Sequence, residues 1–254
     1  MDFIIGSVSI KGMDIMEEII LHKFKDMNLE DATVINGFPT GGLVSTITAN
    51  YLIGALELDQ IAALDSPGFP AVSMIYDSKP KFPARIYADE KAKVAVFLSE
   101  FTPLPSLIRP LSNKIFGFVD ENKCSRIIAP EIMPAEGESL EVFGVGSTDS
   151  SRSYMNELGI KSISHGIITG ISGILLNEGR RRNFDVITLV AQARPEIPDA
   201  RASALLIETI SKIISINIDI GPLYQDAELI ESRIRNLREQ SKTATKPANQ
   251  NMYI

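Results

Sequence analysis

The run Asp185–Ala191 (DVITLVA) constrains this chain more than any other stretch. It is rich in β-branched residues, short, and apolar at nearly every position, as a central parallel strand buried on both faces should be. A strand covered above and below needs a layer of helices on each side. The sequence that flanks it offers such layers. Asp199 stands where an N-cap belongs, ahead of an expected helix over 200–215. On the other side, HGIITGISGILLNEGRRR reads as a buried helix whose closing cations, Arg180 to Arg182, meet the negative end of its dipole.

The same alternation runs through the chain. Strands are expected at 3–10, 32–36, 61–65, 71–76, 84–88, 94–99, 126–132 and 140–145. Helices are expected after GFPTGG, with Leu43, Ile47, Tyr51 and Leu52 at helical spacing, and in TPLPSLIRPLSNKIFGFVDEN, with Leu107, Leu111, Ile115 and Phe118 inward. A short helix is expected over 150–158. The spacing from Ser66 to Ser99 is too tight for helical crossovers, so part of the sheet should be hairpins. The expected architecture is a three-layer α/β/α sandwich on a mixed, largely parallel sheet. It should form a single domain over residues 1–240, followed by a tail, 241–254. The last helix, 223–240, carries a narrow seam of Leu223, Ala227, Ile230, Ile234 and Leu237. Such a seam either closes the domain's own core or packs on a partner subunit.

A chain of 254 residues buries enough surface to need no metal or disulfide staple. Its one cysteine, Cys124, has no internal partner, and MDFIIGSVSIKGMD lacks the pattern of a secretory leader. A reducing, cytoplasmic setting is therefore expected. The net charge of −7 and the absence of a basic stripe argue against nucleic acid. No apolar stretch approaches the ~20 residues a membrane span requires.

Motifs that could carry catalysis weaken once spacing is checked. GFPTGG, with Gly37, Gly41 and Gly42, follows a strand and opens a helix, a setting in which backbone amides can hold a phosphate. It lacks the Gly-Lys-Ser/Thr of a P-loop. GVGSTD has Gly144 and Gly146, but Asp149 where a dinucleotide fingerprint places its third glycine. Both read first as strand-to-helix turns and second as ligand turns. GISG around Ser172 is not a nucleophile elbow, because Ile174 replaces the second glycine. His22 and His165 have no carboxylate or cysteine at metal-ligand spacing, so no metal and no cofactor are expected. Asp65, Asp77 and Glu100 lie near strand ends, where α/β proteins place sites, but they are scattered.

The last residues, TKPANQNMYI, are unusual. A polar, proline-bearing stretch cannot bury enough to fold by itself, yet it ends on Met252, Tyr253 and Ile254. GFPTGGLVSTITANYLI with IAALDSPGFPAVSMIYDSKPKFPARIYAD resembles the first half of the PAC2 family, the archaeal proteasome assembly chaperone homologues. SEFTPLP, HGIITGISGILL and PDARASALLIETISKIISINIDIGPLYQDAELIE resemble its second half. The resemblance implies a phosphorylase-like fold without phosphorylase chemistry, since fold does not carry function. It also implies a non-enzymatic, homo-oligomeric protein that contacts the α-subunits of the proteasome core particle. Met252-Tyr253-Ile254 matches the hydrophobic-Tyr-any tail of proteasome activators, the terminal carboxylate meeting a lysine between neighbouring α-subunits. Two alternatives stay open: a small-molecule-binding protein or phosphorylase-like enzyme using the glycine turns, and an assembly subunit whose tail docks into its own kind.

Overall fold

The computed structural model describes residues 18–39, 43–134, 141–193 and 199–223. The expected strand at 3–10 and nearly all of the expected last helix lie outside these. The chain runs β1 (Ile20–Lys23), β2 (Thr33–Gly37), α1 (Val44–Ala55), β3 (Asp59–Asp65), β4 (Met74–Tyr76), β5 (Lys79–Lys81), β6 (Ala84–Asp89) and β7 (Val94–Ser99). It continues through α2 (Ile108–Asn122), β8 (Arg126–Pro134), β9 (Val142–Gly146), α3 (Asp149–Glu157), β10 (Lys161–Ser162), α4 (Gly170–Arg182), β11 (Val186–Ala193) and α5 (Ala200–Ile214).

Nine strands form one sheet in the order β1-β3-β6-β7-β2-β8-β11-β9-β10. The mixed character has a simple distribution. β7, β2, β8 and β11 pair in parallel at the centre, and β1, β3, β6 and β7 pair antiparallel on one flank. That flank is the hairpin region expected from the tight spacing. β11 lies between β8 and β9 and is buried along most of its length, as its apolar run requires.

Two apolar layers sandwich the sheet. On one face Ile35, Val96, Leu98 and Leu189 meet α1 and α5. On the other Val34, Phe38, Phe97 and Ile127 meet α2 and α4. α2 enters through a short 3₁₀ turn with Pro105 at its start, and Leu111, Ile115 and Phe116 are wholly buried. α5 is held by the expected cap: the Asp199 carboxylate accepts from the backbone amides of Arg201 and Ala202, a contribution of about 1 kcal/mol.

Three differences from the expected elements have local causes. β4 covers only Met74–Tyr76 and pairs with β5 in a separate two-stranded ribbon. Asp77 and Ser78, both with positive φ, turn that ribbon tightly. α4 is half-exposed rather than buried: Ile171, Ser172, Leu175 and Gly179 face inward, and Arg180 to Arg182 stand in solvent. Arg182 pairs with Asp120 of α2 at 2.9 Å. β1 and β10 extend the sheet at its two ends without a pattern of their own.

Candidate functional site

β2 is the pivot of the molecule. It leads into α1 on one face, while its neighbour β7 leads into α2 on the other. Adjacent strands whose connections leave to opposite faces open a crevice beyond their C-terminal ends. A cavity of about 340 Å³ lies there. Asn36, Phe38 and Pro39 contribute from the end of β2, and Glu131 from the second half of β8. Ile108 comes from the start of α2, and Thr169, Gly170 and Ile171 from the start of α4.

Strand alternation explains which side chains reach it. Val34 and Phe38 face α2 and α4, so Asn36 leaves the sheet on that same face. Ile127 and Ala129 face the same layer, which puts Glu131 beside it. Asn36 is fully buried, and neither atom of its carboxamide has a hydrogen-bond partner among the described residues. The first turn of α4 carries backbone N–H groups that no preceding turn can accept. Thr169, its N-cap, makes no side-chain capping bond.

Of the glycines singled out from the sequence, Gly37, Gly144 and Gly146 are pressed against the protein itself. A Cβ on Gly37 would sit 2.3 Å from Ala49 Cβ in α1 and 2.6 Å from the Phe97 carbonyl oxygen. On Gly144 it would meet Met155 Sδ at 2.4 Å, and on Gly146 Ser151 Oγ at 2.6 Å, both in α3. The turn after Gly146 is closed by a reciprocal capping box between Thr148 and Ser151. Thr148 Oγ1 also donates to the Asp185 carboxylate, as does Ser150 Oγ at 3.1 Å. That helix end is therefore already occupied by its own side chains and a negative charge, in contrast to the start of α4. Gly37 lies three sheet positions from β9, roughly 14 Å across the strands, so the two glycine turns do not form one site. Gly41, Gly42, Met252, Tyr253 and Ile254 lie outside the described residues.

The other candidates are engaged separately. His22 Nε2 stands 4.0 Å from Asp65 Oδ2, and His165 Nδ1 lies 3.1 Å from Ser164 Oγ at the surface. Asp77 belongs to the β4–β5 turn. Glu100 is buried, with Oε1 2.6 Å from Arg85 Nη2 and accepting from the Tyr76 hydroxyl. Burial, then the Glu100 charge, raises the Tyr76 pKa and keeps the phenol a donor. For Arg85, burial pulls the pKa down, and Glu100 with the neighbouring tyrosines outweighs it in the cation's favour. Burial pushes the Cys124 thiol up to about 11, far from a reactive thiolate. Ser172 sits inside α4, buried, and is no nucleophile elbow. Among the described residues, no group of three His, Cys, Asp or Glu side chains could hold a metal. No helix among them is long and apolar enough to cross a membrane.

Asn36, Glu131 and Arg85 were not foreseen. The usable signal for Asn36 was its place in TVING, a carboxamide directly after the apolar pair Val34 and Ile35 in a fully buried strand. It acquires meaning only when β8 and α4 are set beside it.

The PAC2 family model matches residues 34–238. An uncharacterized protein of Methanocaldococcus jannaschii is 28% identical over 215 residues, covering 84% of this chain and 88% of its own. The crystal structure of Pyrococcus furiosus PbaA, described as an archaeal homolog of proteasome-assembly chaperone, is 29% identical with a TM-score of 0.80. The match covers 90% of this chain and 100% of that one. Pyrococcus furiosus PbaB, described as an archaeal proteasome activator, shares the fold at 23% identity and a TM-score of 0.73, over 87% of this chain and 99% of PbaB. With the sandwich of two helix layers on one mixed sheet, and a family match spanning most of its length, the chain belongs to the PAC2 family.

Proposed function

We propose that this protein is a non-enzymatic, homo-oligomeric partner of the proteasome that docks its C-terminal residues into pockets between α-subunits, as an assembly factor or an ATP-independent binder. The observation that carries this reading is the likeness to PbaA over nearly the whole chain. The terminal sequence Met252-Tyr253-Ile254 suits the role chemically. In the proposed mode a lysine of the α-subunit pocket pairs with the terminal carboxylate, Tyr253 packs its ring and donates through its hydroxyl, and Met252 adds adaptable apolar contact.

Burial of the ring contributes ~1.5–3 kcal/mol, and a charge-assisted bond a further ~1.5–3 kcal/mol. Set against the cost of association, one tail binds weakly. Several tails on one oligomer gain ~10²–10⁴ in apparent affinity. The eleven residues 241–251 reach at most about 35–40 Å when extended, enough to separate a body from its docking site.

The test mixes the full chain and its Tyr253→Ala variant with α-rings and with complete core particles. Loss of binding on substitution is the expected result. Equal binding by both proteins places the contact on the body and removes the tail from the reading. No binding by either ends the proteasome reading altogether.

A further inference from the structure

One end of the sheet lacks a cover. β1 is the outermost strand of its flank and pairs only with β3 among the described residues. Leu21 packs into the α2–α4 layer, so Ile20 and His22 point to the opposite face. The helices of that face pack elsewhere, α1 on β2, β7 and β8, and α5 on β11 and β9. Ile20 is left 42% exposed and Phe24 55%. Phe82, also exposed, stacks on His22 with ring centroids 5.4 Å apart. Three of the six large hydrophobics exposed among the described residues thus lie on one strip, a concentration that marks an interaction surface. The phase of the strand follows from one contact. Phe24 donates its amide to the Ile61 carbonyl at 2.8 Å, in register with His22 opposite Ala63 and Ile20 opposite Asp65. Bonded and unbonded residues alternate in an antiparallel pair. Ile20, His22 and Phe24 therefore turn their backbone groups to β3, and those of Leu21 and Lys23 point out from the free edge.

We propose that a second copy of this chain occupies the edge, β1 pairing antiparallel with β1 about a two-fold axis at His22. A strand that meets its own copy antiparallel makes a self-complementary contact, with the same patch on both sides. The axis keeps each face matched to itself, so even-numbered residues stand opposite even-numbered ones. With the axis at His22, Leu21 of each copy exchanges both main-chain bonds with Lys23 of the other, using the groups that point outward. On the helix-free face, Ile20 of each copy lies opposite Phe24 of the other, and the two exposed side chains cover one another. An axis one residue away, at Leu21, sets Phe24 against the Glu18 carboxylate instead, so burial of the apolar strip selects His22. Lys23, ion-paired with Asp26, meets Leu21 of the second copy, and no like charges face each other between Ile20 and Phe24. The contact joins two nine-stranded sheets into one. It rests only on the self-association in the proposed function, and the tail takes no part in it.

The test uses the full-length protein, whose only cysteine, Cys124, is buried. Residues paired at the axis have Cα atoms ~4.5 Å apart, inside the range that a disulfide spans. His22→Cys should therefore give a covalent dimer under mild oxidation. Leu21→Cys should not, because its two copies stand roughly 8 Å apart, one strand across and two residues along. Sedimentation gives the second readout. Ile20→Lys with Phe24→Lys sets like charges opposite one another and should weaken association at least tenfold. Ile20→Glu with Phe24→Lys sets opposite charges there and should associate at least tenfold more tightly than the first pair. Both positions are exposed in the single chain, so circular dichroism should show all these variants folded. The proposal is overturned if the wild type is a monomer at high micromolar concentration, or if the two cysteine variants cross-link alike or not at all. Association that ignores both charge pairs overturns it equally, and leaves the homo-oligomeric reading standing on another surface. The Tyr253→Ala result bears on the tail alone.

Discussion

Arg85 and Glu100 give the sharpest test of how this sheet is held together. Arg85 lies on β6 and Glu100 just past β7, diagonal neighbours on one face. Their side chains are 2% and 1% exposed. The guanidinium donates through Nη2 to Glu100 Oε1 and through Nη1 to the Phe82 carbonyl, both at 2.6 Å. Arg85 Nε and Glu100 Oε2 have no partner among the described residues, so the pair is single-pronged rather than a fork. The Tyr76 and Tyr87 rings lie 5.3 and 5.9 Å from the guanidinium. Removing Glu100 as Glu100→Leu strands a buried cation, which should cost about 3–5 kcal/mol. For a chain of 254 residues, that is a fall in Tm of roughly 6–20 °C. Replacing both groups, Arg85→Met with Glu100→Leu, removes the penalty along with the attraction. It should restore most of the loss and can exceed the wild type by ~1–4 kcal/mol. Urea unfolding of the four proteins in a double-mutant cycle measures the coupling directly. If the double variant loses the sum of the two single losses, the charges do not act as a pair and the reasoning fails.

Two further outcomes are expected. Gly37→Ala should destabilise by at least about 2–3 kcal/mol through overpacking, read from the urea midpoint. Adding Ala49→Gly should recover only part of that, because the Phe97 carbonyl, 2.6 Å from the added carbon, remains. Full recovery would place the whole strain at α1. Cys124 should react with a thiol reagent at pH 8 roughly a hundredfold more slowly than a free cysteine, since two pKa units separate their thiolate fractions. Because its folded pKa is raised to about 11, its contribution to stability is full below pH ~8.5–9 and is lost as pH rises through the folded value. A labelling rate that tracks an ordinary thiol would mean the site opens freely.

Legibility in the sequence followed burial. β7 and β11 are covered on both faces, and their residues announce it in near-continuous apolar runs; β2 is just as buried, although Asn36 and Gly37 interrupt its run. α2 and α5 show their inward stripes clearly, and Asp199 marks a boundary because a cap needs one residue type at one place. β1, β5 and β10 were invisible. They span four, three and two residues and are largely exposed, held by the pairing of neighbours rather than by any pattern of their own. α4 misled because its small and aliphatic residues suggest burial on all sides, while one stripe, Ile171, Ser172, Leu175 and Gly179, is buried. The glycines were legible as turns, yet the reason for Gly37 depends on Ala49 and Phe97. Long-range neighbours also decide the cavity: Asn36 and Glu131 are 95 positions apart, Glu131 and Thr169 another 38, and they meet only through the sheet order.

That order has a kinetic consequence. β2 enters the sheet at Thr33, but its two flanking strands begin at Val94 and Arg126. A ribosome delivers the central strand first and both of its hydrogen-bonding partners much later. Until residue 126 has emerged, one edge of a strand with no exposed residue in the finished protein has nothing to pair with. Contacts of such sequence separation close slowly. Truncations ending between β7 and β8 should therefore aggregate rather than persist as a half-sheet, and refolding of the whole chain should depend on protein concentration well before its equilibrium stability does.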